Sequence, residues 1–126
     1  MNNYEIPLEN LDITREDHDN IVILTVIGEI DLNSVRDFIK VLDELKNEEK
    51  HQIIIECSEI RYIDSSGVGA LLRAKTGLVK MKSEEKKDVV LLNVSQSLQR
   101  VLELTRLFSL FKSFSDRNDA LSYFRS

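Results

Sequence analysis

Three short, apolar and β-branched runs constrain this chain most: Ile21 to Ile27, Ile53 to Cys57, and Asp88 to Asn93. Runs of this length and make-up read as strands buried on both faces. Between the first two, Val35, Phe38, Ile39, Leu42 and Leu45 recur at the spacing of one helix face. Between the second and third, Val68, Leu71, Leu72, Leu78 and Val79 do the same. Strands alternating with helices imply a largely parallel sheet joined by helical crossovers. Upstream, Leu11-Asp12-Ile13-Thr14 alternates as a short strand, and His18-Asp19-Asn20 reads as a turn. The first two strands therefore form an antiparallel hairpin, and the sheet is mixed. The expected class is α/β: a mixed β-sheet with an N-terminal hairpin and mostly parallel strands, packed with about four helices.

The punctuation fills in the rest. Gly28-Glu29-Ile30-Asp31 is expected to break the first long strand, and Asn33 or Ser34 to cap the first helix. Asn47-Glu48-Glu49-Lys50 ends that helix. Lys80 to Lys87 is a solvated, mixed-charge connector. Leu98, Val101 and Leu102 lie on a third helix opened by Ser95 or Ser97. Phe111 to Phe114 forms a last short strand, and Asp119 to Phe124 a closing helix. There is no internal repeat and no low-complexity segment. At 126 residues the chain suits one domain with a real core, expected over residues 11–126, with residues 1–10 as a loose arm carrying the lone Pro7.

Several functions are disfavoured by what the chain lacks. Its net charge of −5 is wrong for a phosphate-backbone binder, so no direct nucleic-acid binding is expected. With no Trp, three Tyr and five Phe, a base-stacking platform is not expected either. No apolar run reaches the ~18 residues of a membrane helix, and the N-terminus lacks a signal-peptide pattern. The single Cys57 cannot form an internal disulfide, which fits a cytoplasmic protein, and it reads as a buried, inert thiol. His18 and His51 stand far apart, both read as surface residues, and neither has a ligand partner at metal spacing. No phosphate loop and no dinucleotide fingerprint is present, and no cofactor is expected.

One segment remains that could take part in chemistry: Tyr62-Ile63-Asp64-Ser65-Ser66-Gly67-Val68-Gly69. It places two hydroxyls and a carboxylate at the mouth of the second helix. A serine nucleophile would need a base, and no His lies in the segment. Asp64, Ser65 and Ser66 are each good helix caps, worth ~1 kcal/mol, but a cap needs only one of them. An exposed serine beside helix amides can instead be phosphorylated, since a helix N-terminus favours added negative charge. Asp31 follows one strand and Ser65 the next; if those strands are parallel neighbours, both residues share one sheet edge.

Gly28-Glu29-Ile30-Asp31, followed by Ile63-Asp64-Ser65-Ser66-Gly67-Val68-Gly69-Ala70-Leu71-Leu72, resembles the STAS domain family. The likeness is greatest to its single-domain bacterial anti-sigma-factor antagonists, and runs from about Leu11 to Phe124. The resemblance implies a partner switch. The unmodified protein binds an anti-sigma factor that is also a serine kinase, is released when that kinase phosphorylates Ser65, and is restored by a metal-dependent serine phosphatase. It also implies that Asp31 and Asp64, with Ser66, Gly67 and Val68, belong to the partner-binding segment, and that the chain is no enzyme itself. Two departures stand out. Ser83-Glu84-Glu85-Lys86-Lys87 replaces a glycine-rich turn, and Thr105-Arg106-Leu107 replaces a Ser-Gly or Thr-Gly pair.

The alternatives are a non-switching STAS scaffold or transporter-accessory module, in which Ser65 is only a helix cap, and a helical carrier protein, since Asp-Ser also marks phosphopantetheine attachment. An intrinsic enzyme is the least supported.

Overall fold

A computed structural model describes residues 10–125. The arm expected over residues 1–10 lies, apart from Asn10, outside the described residues. Asn10 is tied down, because its carbonyl accepts a hydrogen bond from the Glu29 amide at 3.0 Å.

The elements follow the order β1 (Leu11–His18), β2 (Ile21–Ile30), α1 (Val35–Asn47), β3 (Gln52–Glu56), β4 (Ile60–Ile63), α2 (Ser65–Val79), β5 (Asp88–Leu92), α3 (Gln96–Leu104), a 3-10 turn (Phe108–Leu110), β6 (Ser113–Phe114) and α4 (Arg117–Arg125). The sheet order is β1-β2-β3-β5-β6, with β4 also pairing β2. β1 and β2 are antiparallel, with Leu11 opposite Gly28 and His18 opposite Ile21. The other pairings are parallel. The expected mixed sheet with four helices is the observed one, and a six-stranded sheet excludes the helical carrier.

Alternation along the strands sorts the core into two layers. Val22, Leu24, Ile53, Ile55, Val89 and Leu91 point to one face, where Phe38 and Leu45 of α1, Leu71 of α2 and Leu98 and Leu102 of α3 cover them. Ile21, Ile23, Ile54, Val90 and Leu92 point to the other, beneath Ala120, Leu121 and Phe124 of α4. Cys57 is fully buried, and burial first of all drives its thiol pKa far above the ordinary range, as expected of an inert cysteine. A Lys75–Asp88 ion pair at 2.6 Å fastens α2 to the start of β5.

Several boundaries differ from expectation. β1 runs on to His18, because Arg15 pairs with Asp17 and Glu48 and makes an exposed, charged strand tenable. His18 ends that strand instead of lying in a turn, and it is half-buried against Glu16 and Arg117; His51 is half-buried too.

The Gly28–Asp31 segment does not break β2. The strand carries on to Ile30 through a register shift between Gly28 and Glu29. Gly28 makes that possible: its φ is 118°, and a Cβ there would fall 1.9 Å from the Asn10 carbonyl oxygen. Beyond the shift β2 pairs with β4, a strand the sequence reading missed because Ile60-Arg61-Tyr62-Ile63 is short and its middle is exposed. Val79, expected on the apolar side of α2, is the last residue of that helix and is 51% exposed. The last strand shrinks to Ser113–Phe114, since Phe111 caps the end of the 3-10 turn and only Ser113 and Phe114 pair with β5, and α4 starts at Arg117, two residues early.

Candidate functional site

β2 and β4 end side by side, with Ile30 opposite Ile63. The Asp64 amide donates to the Ile30 carbonyl at 3.1 Å. The two segments that follow, 31–34 and 64–67, therefore leave the sheet together. Asp31 and Ser65 do follow parallel neighbours, but the strand ahead of Ser65 is β4 and not the apolar run of β3.

The first segment is held by its own polar groups. The Asp31 carboxylate accepts from the Asn33 amide at 2.9 Å and the Ser34 amide at 3.0 Å, an Asx-type turn. The Ser34 hydroxyl donates to the Glu29 carbonyl at 2.7 Å and accepts from the Asp31 amide at 3.0 Å. Ser34 thus occupies the cap position of α1 without capping it through its side chain; it braces the bulged end of β2. Asp31 is half-buried, and a large part of its acceptor capacity serves this turn.

The second segment divides its three polar side chains unequally. Asp64 is the cap of α2: its carboxylate accepts from the Ser66 amide at 2.9 Å, the Gly67 amide at 3.4 Å and the Ser66 hydroxyl at 2.5 Å. The Leu32 amide of the first segment also favours its charged form. Burial opposes its ionisation, yet the Ser66 hydroxyl and the three amides outweigh that and hold the Asp64 carboxyl below the usual carboxylate range. Ser66 is half-buried and engaged with Asp64. Ser65 is exposed, and its hydroxyl has no hydrogen-bond partner among the described residues. The reading of Ser65 as a cap is thereby overturned: Asp64 caps, Ser66 assists, and Ser65 is left over.

Gly67 and Val68 are buried, not displayed. A Cβ on Gly67 would come within 2.7 Å of both Ile30 and Ile63, so only glycine lets α2 seat on the joined ends of β2 and β4. Val68 is 2% exposed and packs in the main core. What sequence reasoning missed is the apolar border of the site. Leu32 is 75% exposed in the first segment, and Tyr62 is 50% exposed on β4. The legible signal was an apolar residue placed inside a polar turn, Asp31-Leu32-Asn33. A cavity of about 520 Å³ between α1 and α2 is lined by Lys46, Ile53, Gly77 and others. It lies at the amino ends of the strands, and none of the motif residues from Asp64 to Gly69 lines it.

Arg106, the departure from the family pattern near α3, has φ 60°. Its amide bonds to the Glu103 carbonyl and the Leu107 amide to the Leu102 carbonyl, a left-handed helix end of the kind glycine ordinarily forms. The backbone path survives the substitution.

Comparison with known proteins places this geometry. The family model described as "STAS domain" matches residues 12–120. An anti-sigma-B factor antagonist of Staphylococcus epidermidis is 29% identical over 101 residues, which span 80% of this chain and 90% of that protein. Among solved structures, a putative anti-sigma factor antagonist from Thermotoga maritima superposes with a TM-score of 0.79 at 23% identity, covering 90% of this chain and 95% of that one. The anti-sigma factor antagonist SpoIIAA in its unphosphorylated form gives a TM-score of 0.71 at 20% identity, covering 90% and 96%. The Bacillus cell fate determinant SpoIIAA in the phosphorylated form gives 0.64 at 20% identity, covering 89% and 98%.

Proposed function

The chain belongs to the STAS domain family, and from that premise we propose that it is an anti-sigma factor antagonist switched by phosphorylation of Ser65. The observation that carries the reading is the division of labour in the motif. Asp64 and Ser66 are engaged with each other, and only the Ser65 hydroxyl is exposed and unbonded. The names of its relatives support the general role, and a relative of the same fold occurs in unphosphorylated and phosphorylated forms.

In this reading residues 11–126 act as one STAS domain in the cytoplasm; no described helix is long and apolar enough to cross a membrane. The unmodified surface around Ser65, bordered by Leu32 and Tyr62, binds an anti-sigma factor that is also a serine kinase. Asp31 and Asp64 hold the two segments in shape, with Ser66, Gly67 and Val68 seating the helix beneath. The Ser65 oxygen attacks the γ-phosphorus of ATP on the kinase, ADP leaves, and the hydroxyl proton passes to a base of the kinase. A metal-dependent serine phosphatase hydrolyses the product.

Phosphate brings about −1.5 to −2 charges. The start of α2 favours it by ~0.3–1 kcal/mol. Like charge on Asp64 opposes it by roughly 3 kcal/mol per unit of phosphate charge at ~6 Å and a dielectric of ~20, and by far less where solvent intervenes. The domain stays folded, while an interface that excludes water there loses affinity.

The test is to incubate the protein with ATP and a partner anti-sigma kinase, then map the phosphate by mass spectrometry. Phosphate on Ser65 is expected, and phosphate only elsewhere would overturn the assignment. Ser65→Ala should keep kinase binding and Ser65→Asp should weaken it. Equal affinities would remove the charge mechanism.

A further inference from the structure

Gly69 sits in the interior of α2, where glycine costs about 1 kcal/mol against alanine. Neither φ nor packing against the core explains it. Its φ is not positive, and the one neighbour a Cβ would crowd is the Arg73 guanidinium, whose Nη1 would stand 3.3 Å away. Arg73 therefore lies back along the helix over Gly69, the direction in which helical side chains lean. Its guanidinium forms no ion pair and no side-chain hydrogen bond among the described residues. Ser65, Gly69 and Arg73 follow one another at four-residue spacing, so each is a surface neighbour of the next. The guanidinium already rests one turn, about 5.4 Å, from the start of the helix. The Ser65 hydroxyl is exposed there without a partner.

Taking Ser65 as the phosphate acceptor, as proposed above, we propose that Arg73 donates hydrogen bonds to the Ser65 phosphate across Gly69 and folds it back along α2. Guanidinium matches phosphate oxygens in a bidentate geometry that lysine does not reproduce. The missing Cβ at Gly69 is what keeps the path between them open. The phosphate is then drawn away from Asp64, and the change in surface extends a full turn down α2 instead of stopping at the helix mouth.

The experiment installs phosphoserine at position 65 directly, without a kinase, and follows the phosphate by phosphorus NMR across pH. Free phosphoserine titrates near ~6. A neighbouring guanidinium favours the dianion, so the unsubstituted phosphoprotein should titrate lower than its Arg73→Gln variant by about half a pH unit or more. Arg73→Lys should recover only part of that difference. Exposed Arg73 is not part of the core, and matching melting curves of the three proteins confirm that the comparison is between folded states. An identical titration in the parent and in Arg73→Gln overturns the clamp. The same phosphoproteins are then tested for anti-sigma kinase binding. Binding undiminished by phosphoserine would overturn the proposed switch while leaving the clamp standing, so the two failures are told apart.

Discussion

The Ser66 hydroxyl donates to the Asp64 carboxylate at 2.5 Å, and this bond is what separates two adjacent serines into different roles. Ser66 becomes part of the helix cap, and Ser65 is left facing solvent. Stability should divide the same way. Ser66→Ala removes a hydrogen bond to a charged group and is expected to cost about 1.5 kcal/mol, while Ser65→Ala stays within ~0.5 kcal/mol of the parent. Urea unfolding of the two variants checks this. Equal losses would show that Ser65 also supports the fold.

Asp64 gives a prediction with a pH sign. Its folded carboxyl lies below the usual range, with hydrogen bonds outweighing an opposing burial effect. A group whose folded pKa is depressed contributes stability above its unfolded value, near ~3.9, and loses that contribution as pH falls through the folded value. Asp64→Ala should therefore cost ~1–2 kcal/mol at pH 7, the range for a lost cap, and progressively less below about pH 4. Unfolding curves of parent and variant at pH 7 and pH 3 measure it. A difference of the same size at both would mean that the cap does not depend on charge.

Much of this was legible in the sequence, for physical reasons that also explain the gaps. The apolar runs at Ile21, Ile53 and Asp88 announced themselves because both faces of those strands are covered. β4 stayed hidden because Arg61 and Tyr62 are exposed and only its ends, Ile60 and Ile63, are buried. The pattern of a four-residue strand with two outward residues is too short to show a period. Gly28 read as a stop because glycine punctuates strands, yet here it lets one strand bend and continue. At the site, the motif was visible but the assignment of Asp64 as cap was not. Asp, Ser and Ser have similar cap propensities, and only the folded backbone decides which side chain meets the Ser66 and Gly67 amides.

Arg106 carries a prediction about the family's missing glycine. With φ at 60° its backbone holds a conformation that costs a non-glycine residue about 1–2 kcal/mol. Arg106→Gly relieves that strain but also loosens the unfolded chain, which opposes the gain by ~0.4–1 kcal/mol. The net expectation is a stabilisation of about 0.5–1 kcal/mol, with the end of α3 unchanged. A higher urea midpoint at constant slope bears it out, and a lower midpoint would mean that the Arg106 side chain itself holds the loop.

The glycines at the start of α2 should respond to the same substitution with opposite signs. Gly67→Ala places a methyl group 2.7 Å from Ile30 and Ile63, both at most 2% exposed, so neither can step aside freely. Overpacking of this kind costs about 1–3 kcal/mol. It also pushes α2 off the joined ends of β2 and β4, which sets the position of Ser65. Gly69→Ala meets only the end of the Arg73 side chain at 3.3 Å, and that end can shift by a few tenths of an ångström. There the gain in helix propensity dominates, and the unmodified domain should gain up to ~1 kcal/mol. The two melting temperatures should therefore move apart, Gly67→Ala down and Gly69→Ala up. If Gly69→Ala fell as well, Gly69 would be packed against something other than Arg73, and its place in α2 would need a different explanation from an open path along the helix.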